Sequence, residues 1–244
     1  MYNNIAMNRT FDFSMGEYYH GYNRGVDKRI IFLDKQDHER FVKLLYICNS
    51  KNRFDFDDVF IKDQRIELKD IERGERLVAI GAWCLMPNHF HLLMKENLEV
   101  RPPNGNSGIS LFMQKLLTAY SSYFNNKYFR KGSLFEGRFK AKHLNTDRYL
   151  KYQYTYIHLN PIGIIDKGWK KKQITDKEKA KKFLKEYKYS SYKDYIGEVR
   201  EENAILSKEE FPEYFTTATD FEAMIEEWIN FDDGEIKPEQ EEKP

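Results

Sequence analysis

Two of the six histidines of the chain, His89 and His91, lie one residue apart within the apolar stretch MPNHFHLLM, residues 86–94. On a β-strand, residues two apart point to the same face, whereas on a helix they point about 200° apart. If this stretch is a strand, the two imidazoles are neighbours and could bind a divalent cation. Such a cation needs further ligands and an open position for a substrate. Without them, the pair would equally well be two buried histidines bonded to backbone carbonyls.

A second group of polar side chains lies about 65 residues later, in KYQYTYIHLNP, residues 151–161. Tyr156 and Asn160 are four apart, so on a helix they share one face and lie about 6 Å apart along the axis. The amide oxygen of an asparagine can bind a hard cation, and a tyrosine one turn away would lie beside whatever that cation binds. The spacing therefore predicts a site that joins this helix to the histidine pair.

Four motifs taken together resemble the HUH-type single-tyrosine transposases and, within them, the REP-associated tyrosine transposases. They are YHGYNRG (19–25), CLMPNHFHLLM (84–94), LFEGRFKAKHL (134–144) and YIHLNP (156–161). A weaker match follows in YSSYKDYI, residues 189–196, so the resemblance covers roughly residues 17–196. The chain differs from typical members in the long segment 50–76 and in its acidic C-terminal part.

The resemblance implies a role for each candidate residue. In this family the two histidines bind a divalent ion, the tyrosine of the later helix is the nucleophile, and a polar residue four positions on completes the metal site. Here these are His89 and His91, Tyr156, and Asn160, with Mg²⁺ or Mn²⁺ as the ion. Attack by the tyrosine would leave a 5′-phosphotyrosine and a free 3′-hydroxyl, from which the cut strand could be rejoined.

Other tyrosines of the same predicted helix, at 149, 152 and 154, are rivals for the nucleophile. Tyr154 is two residues from Tyr156, so it faces another side of the helix and is expected in the core. Tyr152 shares the face of Tyr156 but lies eight residues, about 12 Å, from Asn160. We therefore expect Tyr156 to be the nucleophile, with Tyr152 as the next candidate.

The formal net charge of +1 hides a strong segregation of charge along the chain. Residues 115–188 hold 19 Lys and Arg against 6 Asp and Glu, whereas residues 198–244 hold 4 against 16. A basic block that contains tyrosines is typical of a surface that binds nucleic acid. The alternative is a solvated face paired with the acidic C-terminal part. The expected DNA contacts are Arg24, Arg130, Lys131, Arg138, Lys140 and Lys142.

The hydrophobic pattern predicts the strands that must position these residues. A strand is expected in EYYHGYNRG (17–25), two more in LVAIGAWCLM (77–86) and HFHLLM (89–94), and a basic one within residues 129–144. Pro87 and Asn88 are typical turn residues, so the second and third strands should form a hairpin.

Helices are predicted from caps and from apolar residues at helical spacing. Asp34, Ser107 or Ser110, and Thr146 can each begin a helix, and Pro161 should end the third one near Asn160. A Lys-rich helix is expected around 177–187, and a short C-terminal helix should have Phe221, Ile225 and Trp228 on one face.

These elements predict an α+β fold with a ferredoxin-like antiparallel sheet, the histidine pair on a central strand and the helices packed on one face, plus a C-terminal helical extension. We expect one domain over residues 1–196, with an insertion at about 50–76, a hairpin being one form for it. Residues 197–244 would form the acidic extension, and residues 237–244 are expected to be disordered.

The composition also excludes some classes of protein. The N-terminus lacks the basic start and apolar stretch of a signal peptide, and the longest apolar run, residues 77–86, is too short to span a bilayer. We expect a cytoplasmic protein with no membrane partner. Cys48 and Cys84 form no recognisable metal motif and are expected to be buried thiols.

Together these features predict a metal-dependent transposase or endonuclease that cleaves and rejoins single-stranded DNA at hairpin-containing sites. Its partner would be single-stranded or hairpin DNA, and a homodimer is one candidate assembly. An alternative is a domesticated protein that binds DNA hairpins without cutting them. A more distant alternative, a metal hydrolase of small phosphoesters, is disfavoured by the basic block.

Overall fold

The computed structural model of the chain describes residues 12–52, 67–97, 107–171 and 173–230. The strands in these ranges are β1 (Tyr18–Arg24), β2 (Val78–Met86), β3 (His89–Glu96) and β4 (Lys140–His143). The α-helices are α1 (Lys35–Ile47), α2 (Gly108–Lys127), α3 (Asp147–Leu159), α4 (Ile162–Ile165), α5 (Lys177–Glu186), α6 (Tyr192–Tyr195) and α7 (Ala218–Asn230). Short 3₁₀ turns lie at Val26–Lys28, Leu68–Asp70, Trp169–Lys171, Glu201–Ile205 and Lys208–Glu210.

The helix starts predicted from capping residues are confirmed. The side chains of Asp34, Ser107 and Thr146 each accept a hydrogen bond from the backbone N–H three residues later, at the start of α1, α2 and α3. Each cap satisfies an N–H group that has no partner within its helix. The end of α3 at Leu159, with Asn160 as its C-cap, also agrees with the prediction.

The four strands form one antiparallel sheet in the order β2-β3-β1-β4. The predicted α+β class is confirmed, and the histidine-bearing strand β3 is an interior strand. In the pairing of β1 with β3, Tyr22 lies opposite His91 and Arg24 lies opposite His89. Side chains at paired positions point to the same face of the sheet, so the register places these four residues together.

One expectation differs from the structure, because the helices cover both faces of the sheet. On the first face α1 and α2 pack against the sheet, as expected. On the second face α3 packs against β2 and β3, with Tyr154 and Ile157 in this core, and α7 packs on α3, where Phe221 contacts His158. The physical reason lies in β2, which is buried at every position, since a strand with two apolar faces needs cover on both sides.

A buried polar contact fixes α3 on the second face. The Nδ1 of His158 lies 2.8 Å from the carbonyl oxygen of Tyr154, and its Nε2 lies 2.8 Å from the Ser191 hydroxyl. Because a carbonyl only accepts, Nδ1 carries the proton and Nε2 accepts from Ser191. The same hydroxyl accepts a hydrogen bond from the backbone N–H of Trp83 in β2, at 3.0 Å. Ser191 therefore links α3 to the sheet.

The C-terminal part contributes to both cores. Ile205 and Leu206 join the core beneath α1 and α2, and Phe221, Ile225 and Ile229 join the core beneath α3. The predicted boundary at residue 196 stays a prediction. The predicted hairpin within 50–76 falls largely on residues 53–66, and the predicted disorder falls on residues 237–244, all outside the described residues. In the described ranges, the helices are too short or too polar to cross a bilayer.

Replacing Ser191 with alanine should destabilise the protein. The change leaves His158 Nε2 and the Trp83 N–H buried without partners, which we expect to lower the free energy of unfolding by about 2–4 kcal/mol. Urea denaturation followed by circular dichroism measures this. Ser122→Ala, at an exposed position of α2, is the matched control and should have little effect. A loss below about 1 kcal/mol for Ser191→Ala would contradict this account of how α3 is held.

Candidate active site

The two histidines of β3 lie side by side. The ring centroids of His89 and His91 are 5.0 Å apart, with the ring planes nearly perpendicular. His91 is almost completely buried, whereas His89 is half-buried beside the hairpin turn. The strand spacing thus produces the shared face on which a common ligand could bind.

The structure places Tyr156 beside this pair. Its ring centroid is 5.6 Å from that of His91, and its side chain is buried between α3 and the sheet. Tyr152 stacks on Tyr156 one turn earlier, with centroids 6.1 Å apart. Tyr154 is buried among other aromatic rings, including Tyr195 and Phe211. Of these tyrosines, Tyr156 makes the ring contact with His91.

Asn160 is buried at the end of α3, one turn after Tyr156. Its amide nitrogen donates a hydrogen bond to the carbonyl oxygen of Tyr156, at 2.8 Å. Because a carbonyl only accepts, this bond identifies the nitrogen and leaves the amide oxygen on the other side of the group. The oxygen is the atom that could bind a hard cation.

A third histidine, His20 of β1, belongs to the site although the sequence assigns it no role. Its Nε2 lies 2.8 Å from Nδ1 of His91, and the two rings stack. The other ring nitrogen of His91, Nε2, is buried and has no hydrogen-bond partner in the described part of the chain. The position of His20 in the YHGYNRG motif is the signal that could have identified it.

The three imidazoles are neutral at pH 7. Burial is the main cause: it lowers the pKa of His20 to about 3, that of His89 to about 4, and that of His91 well below its ordinary value. The nearby charge of Lys170 lowers all three further. Neutral imidazole is the form that binds a metal ion.

Hydrogen bonds around the turn also fix which nitrogen of His89 is available. The amide nitrogen of Asn88 donates to the carbonyl of Lys28 at 3.1 Å, so its amide oxygen faces Nδ1 of His89 at 2.6 Å. Nδ1 must therefore carry the proton, and the lone pair is on Nε2. When Nδ1 of His91 donates to His20, the unpartnered Nε2 of His91 also carries a lone pair. The donor set fits a divalent cation.

No group of three or more His, Cys, Asp or Glu side chains suited to a metal ion occurs among the described residues. A cation here would therefore depend on imidazole nitrogens together with neutral oxygen ligands. Open positions would remain for water or a substrate oxygen.

Lys170 contacts the tyrosine directly. Its ammonium donates a hydrogen bond to the Tyr156 hydroxyl at 2.9 Å and lies 5.1 Å from the centre of the ring. Trp169 packs on the same tyrosine, with ring centroids 5.8 Å apart, and Trp228 packs on Trp169. The sequence did not identify Lys170, because it is one of several lysines in the basic stretch WKKKQ.

A pocket of about 230 Å³ opens beside the histidine pair. His89 and His91 form part of its wall, and Arg24, Lys28 and Lys140 supply positive charge. Arg24 is paired through two hydrogen bonds with Glu136, which also lines the pocket. Three cations against one carboxylate favour an anionic occupant.

The predicted DNA contacts divide into two groups. The register of β4 with β1 places Lys140 opposite Tyr22 and Lys142 opposite His20, so both lysines share the face of the site. Arg138 precedes them and is exposed. Arg130 and Lys131 lie instead in the loop after α2, where the guanidinium of Arg130 packs 5.7 Å from the Phe124 ring.

Part of the basic block is neutralised by the C-terminal part. Lys181 and Lys185 of α5 lie 3.1 Å and 2.5 Å from Glu226 and Glu222 of α7. For α5, the structure agrees with the alternative expectation that basic residues pair with the acidic C-terminal part. The lysines of β4 are on a different element, next to the histidines.

Comparison with solved structures finds a protein with a similar fold. No family model and no curated protein sequence matches the chain. The fold is similar to a solved structure of a REP-associated tyrosine transposase bound to a REP hairpin, with a TM-score of 0.47 and 12% sequence identity. The match covers 81% of this chain and 90% of the other. Both the identity and the TM-score are low, so the function proposed for this chain rests on its own residues.

The tautomer of His89 can be checked directly. We expect its neutral ring to carry the proton on Nδ1 at pH 7, because Asn88 presents an oxygen to that nitrogen. Long-range ¹H–¹⁵N NMR spectra, recorded with EDTA, distinguish the two tautomers. In Asn88→Ala the constraint is lost and the Nε2–H form should become populated. A proton on Nε2 in the unmodified protein would contradict the assignment.

Proposed function

We propose that the chain is a metal-dependent enzyme that cleaves and rejoins single-stranded DNA at hairpin-containing sites through a covalent bond to Tyr156. The observation that carries this proposal is the meeting of Tyr156 with His91, whose buried Nε2 has no hydrogen-bond partner among the described residues. A buried polar atom without a partner is costly unless a ligand satisfies it.

The metal ligands would be Nε2 of His89, Nε2 of His91 and the amide oxygen of Asn160. A bound Mg²⁺ or Mn²⁺ supplies charge neutralisation and polarisation of the scissile phosphate. His20 holds His91 by accepting the hydrogen bond that Nδ1 of His91 donates, and Asn88 holds His89 in the same way. Partners of this kind orient metal-binding imidazoles.

The covalent step belongs to Tyr156. The Tyr156 hydroxyl loses its proton to solvent and its oxygen forms a bond to the phosphorus. The bond from phosphorus to the 3′-oxygen breaks, and that oxygen takes up a proton from solvent and leaves as a 3′-hydroxyl. Lys170 holds the tyrosine oxygen through a hydrogen bond and supplies positive charge where negative charge develops. In the reverse direction a 3′-hydroxyl attacks the phosphotyrosine, which rejoins a strand and frees Tyr156.

The charges around the site support a polyanionic substrate, and the hairpin is what the resemblance of the sequence motifs implies. Lys140 lines the pocket, and Lys142, two residues further along β4, extends the positive surface beyond it. A small phosphoester would need only the pocket, whereas a DNA strand can use both. Because Tyr156 lies beside histidines of its own chain, one chain holds all the proposed catalytic groups, and a homodimer is not needed to assemble them.

Tyr156→Phe should abolish covalent capture of DNA while binding remains. The experiment incubates the protein with a labelled hairpin oligonucleotide carrying a single-stranded flank, with and without Mn²⁺, and resolves the adduct on a denaturing gel. Tyr152→Phe is the matched control and should still form the adduct. An adduct formed equally by Tyr156→Phe would place the nucleophile elsewhere. Binding without an adduct in the unmodified protein would favour the hairpin-binding alternative.

Metal binding can be tested without activity. Calorimetric titration with Mn²⁺ should show binding that His91→Ala weakens by about tenfold or more, because a ligand is lost. Asn160→Ala should also weaken it. His143→Ala removes a histidine of β4 that pairs with Glu17 and should leave the affinity unchanged. Equal Mn²⁺ affinity in His91→Ala and the unmodified protein would remove this residue from the metal site.

A further inference from the structure

Phe129 is an aromatic residue with almost no side-chain contact with the described residues of the chain. It follows the end of α2, and its side chain is 98% exposed. Single exposed apolar residues are common, but a fully exposed phenylalanine gains nothing from burial. Its side chain therefore adds nothing to the stability of the fold through packing.

The backbone conformation at position 129 is also unusual for a phenylalanine. Its φ is +51°, in the left-handed region that bulky residues rarely adopt. The N–H of Phe129 donates to the carbonyl of Asn126, and the N–H of Arg130 donates to that of Asn125. This pair of bonds forms a Schellman motif, whose left-handed position is usually glycine. The helix end would be more stable with glycine at position 129.

Neither packing against the described residues nor backbone geometry explains a phenylalanine here, and we consider a contact with a binding partner as the physical reason for it. The neighbouring residues indicate the chemistry of that contact. Arg130 and Lys131 follow directly, and Lys131 is exposed. The nearby carboxylate of Asp34 is already paired with Lys127, at 2.7 Å. The flat apolar ring of Phe129, with cationic residues beside it, suits single-stranded nucleic acid, which has flat bases and negatively charged phosphates.

The loop that carries Phe129 is connected to the proposed active site. At its far end the N–H of Glu136 donates to the carbonyl of Arg24 at 2.9 Å, and Glu136 and Arg24 both line the pocket beside the histidines. Within the loop, the carbonyl of Leu134 accepts from Val26 at 3.0 Å. A strand bound in the pocket could therefore continue along this loop towards Phe129.

We propose that Phe129 stacks on an unpaired base of single-stranded DNA, at a site outside the catalytic pocket, with Lys131 beside the DNA backbone. The identity of the ligand rests on the proposed function. The stacking itself does not require cleavage, so it can be measured separately from catalysis.

The test uses the full chain with Tyr156→Phe as background and EDTA in the buffer, so that no strand is cut. Affinity for a single-stranded oligonucleotide is measured by fluorescence anisotropy, and stacking by the quenching of 2-aminopurine placed along the strand. Phe129→Gly should weaken binding about tenfold, because one stacked base is lost. The same variant should unfold at a higher urea concentration, because glycine suits the left-handed position.

Two further variants separate stacking from general hydrophobicity. Phe129→Trp should keep the affinity and the quenching, whereas Phe129→Leu should lose both. Val199→Ala, at another fully exposed apolar position, is the control and should bind as the background does. Unchanged affinity in Phe129→Gly would overturn the inference, and so would equal binding by the leucine variant.

The remaining outcomes are also decisive. If Phe129→Gly binds DNA normally but loses binding to vesicles of anionic phospholipid, the residue contacts lipid and the inference is wrong. If the background protein does not bind single-stranded DNA, both the inference and the proposed function fail. If Phe129→Gly weakens binding although the unmodified protein forms no adduct, the stacking site stands and only the proposed catalysis fails.

Discussion

The antiparallel pairing of β1 with β3 is the constraint on which the site depends. Its register places His20 next to His91 and Arg24 opposite His89. A slip of one residue would turn every side chain of one strand to the opposite face of the sheet. The apolar residues that alternate with the histidines, such as Phe90 and Leu92, face the core beneath α1 and α2 and so hold this register.

The helices on the second face of the sheet determine which of its side chains are covered and which stay accessible. Because α3 lies over β2 and β3, Tyr156 is brought onto the histidines, while the residues of β4 stay exposed or half-buried. The same helix thus both buries the tyrosine and leaves the neighbouring lysines open to a ligand. His158 and Ser191 fix this arrangement from within the core.

The parts of the fold that were predicted from sequence are those set by local rules. Asp34, Ser107 and Thr146 cap helices by accepting a hydrogen bond from the N–H three residues later. The spacing of the two histidines likewise places them on one face of a strand. His20 and Lys170 were missed because their roles arise from contacts with residues 71 and 14 positions away. The helices that cover the second face of the sheet were not predicted, although β2 is apolar on both of its faces.

The ion pairs between α5 and α7 affect the electric field around the molecule more than its stability. Exposed pairs of this kind contribute little to the free energy of folding. They do cancel charge, since Lys181 and Lys185 each lie close to a glutamate of α7. Lys140 and Lys142 lie on a different element, the edge strand β4, on the face that carries the histidines. Under the proposed function, a polyanion diffusing towards the molecule would be attracted less by these lysines of α5 than by those of β4, so more of its encounters would occur at the histidine-bearing face.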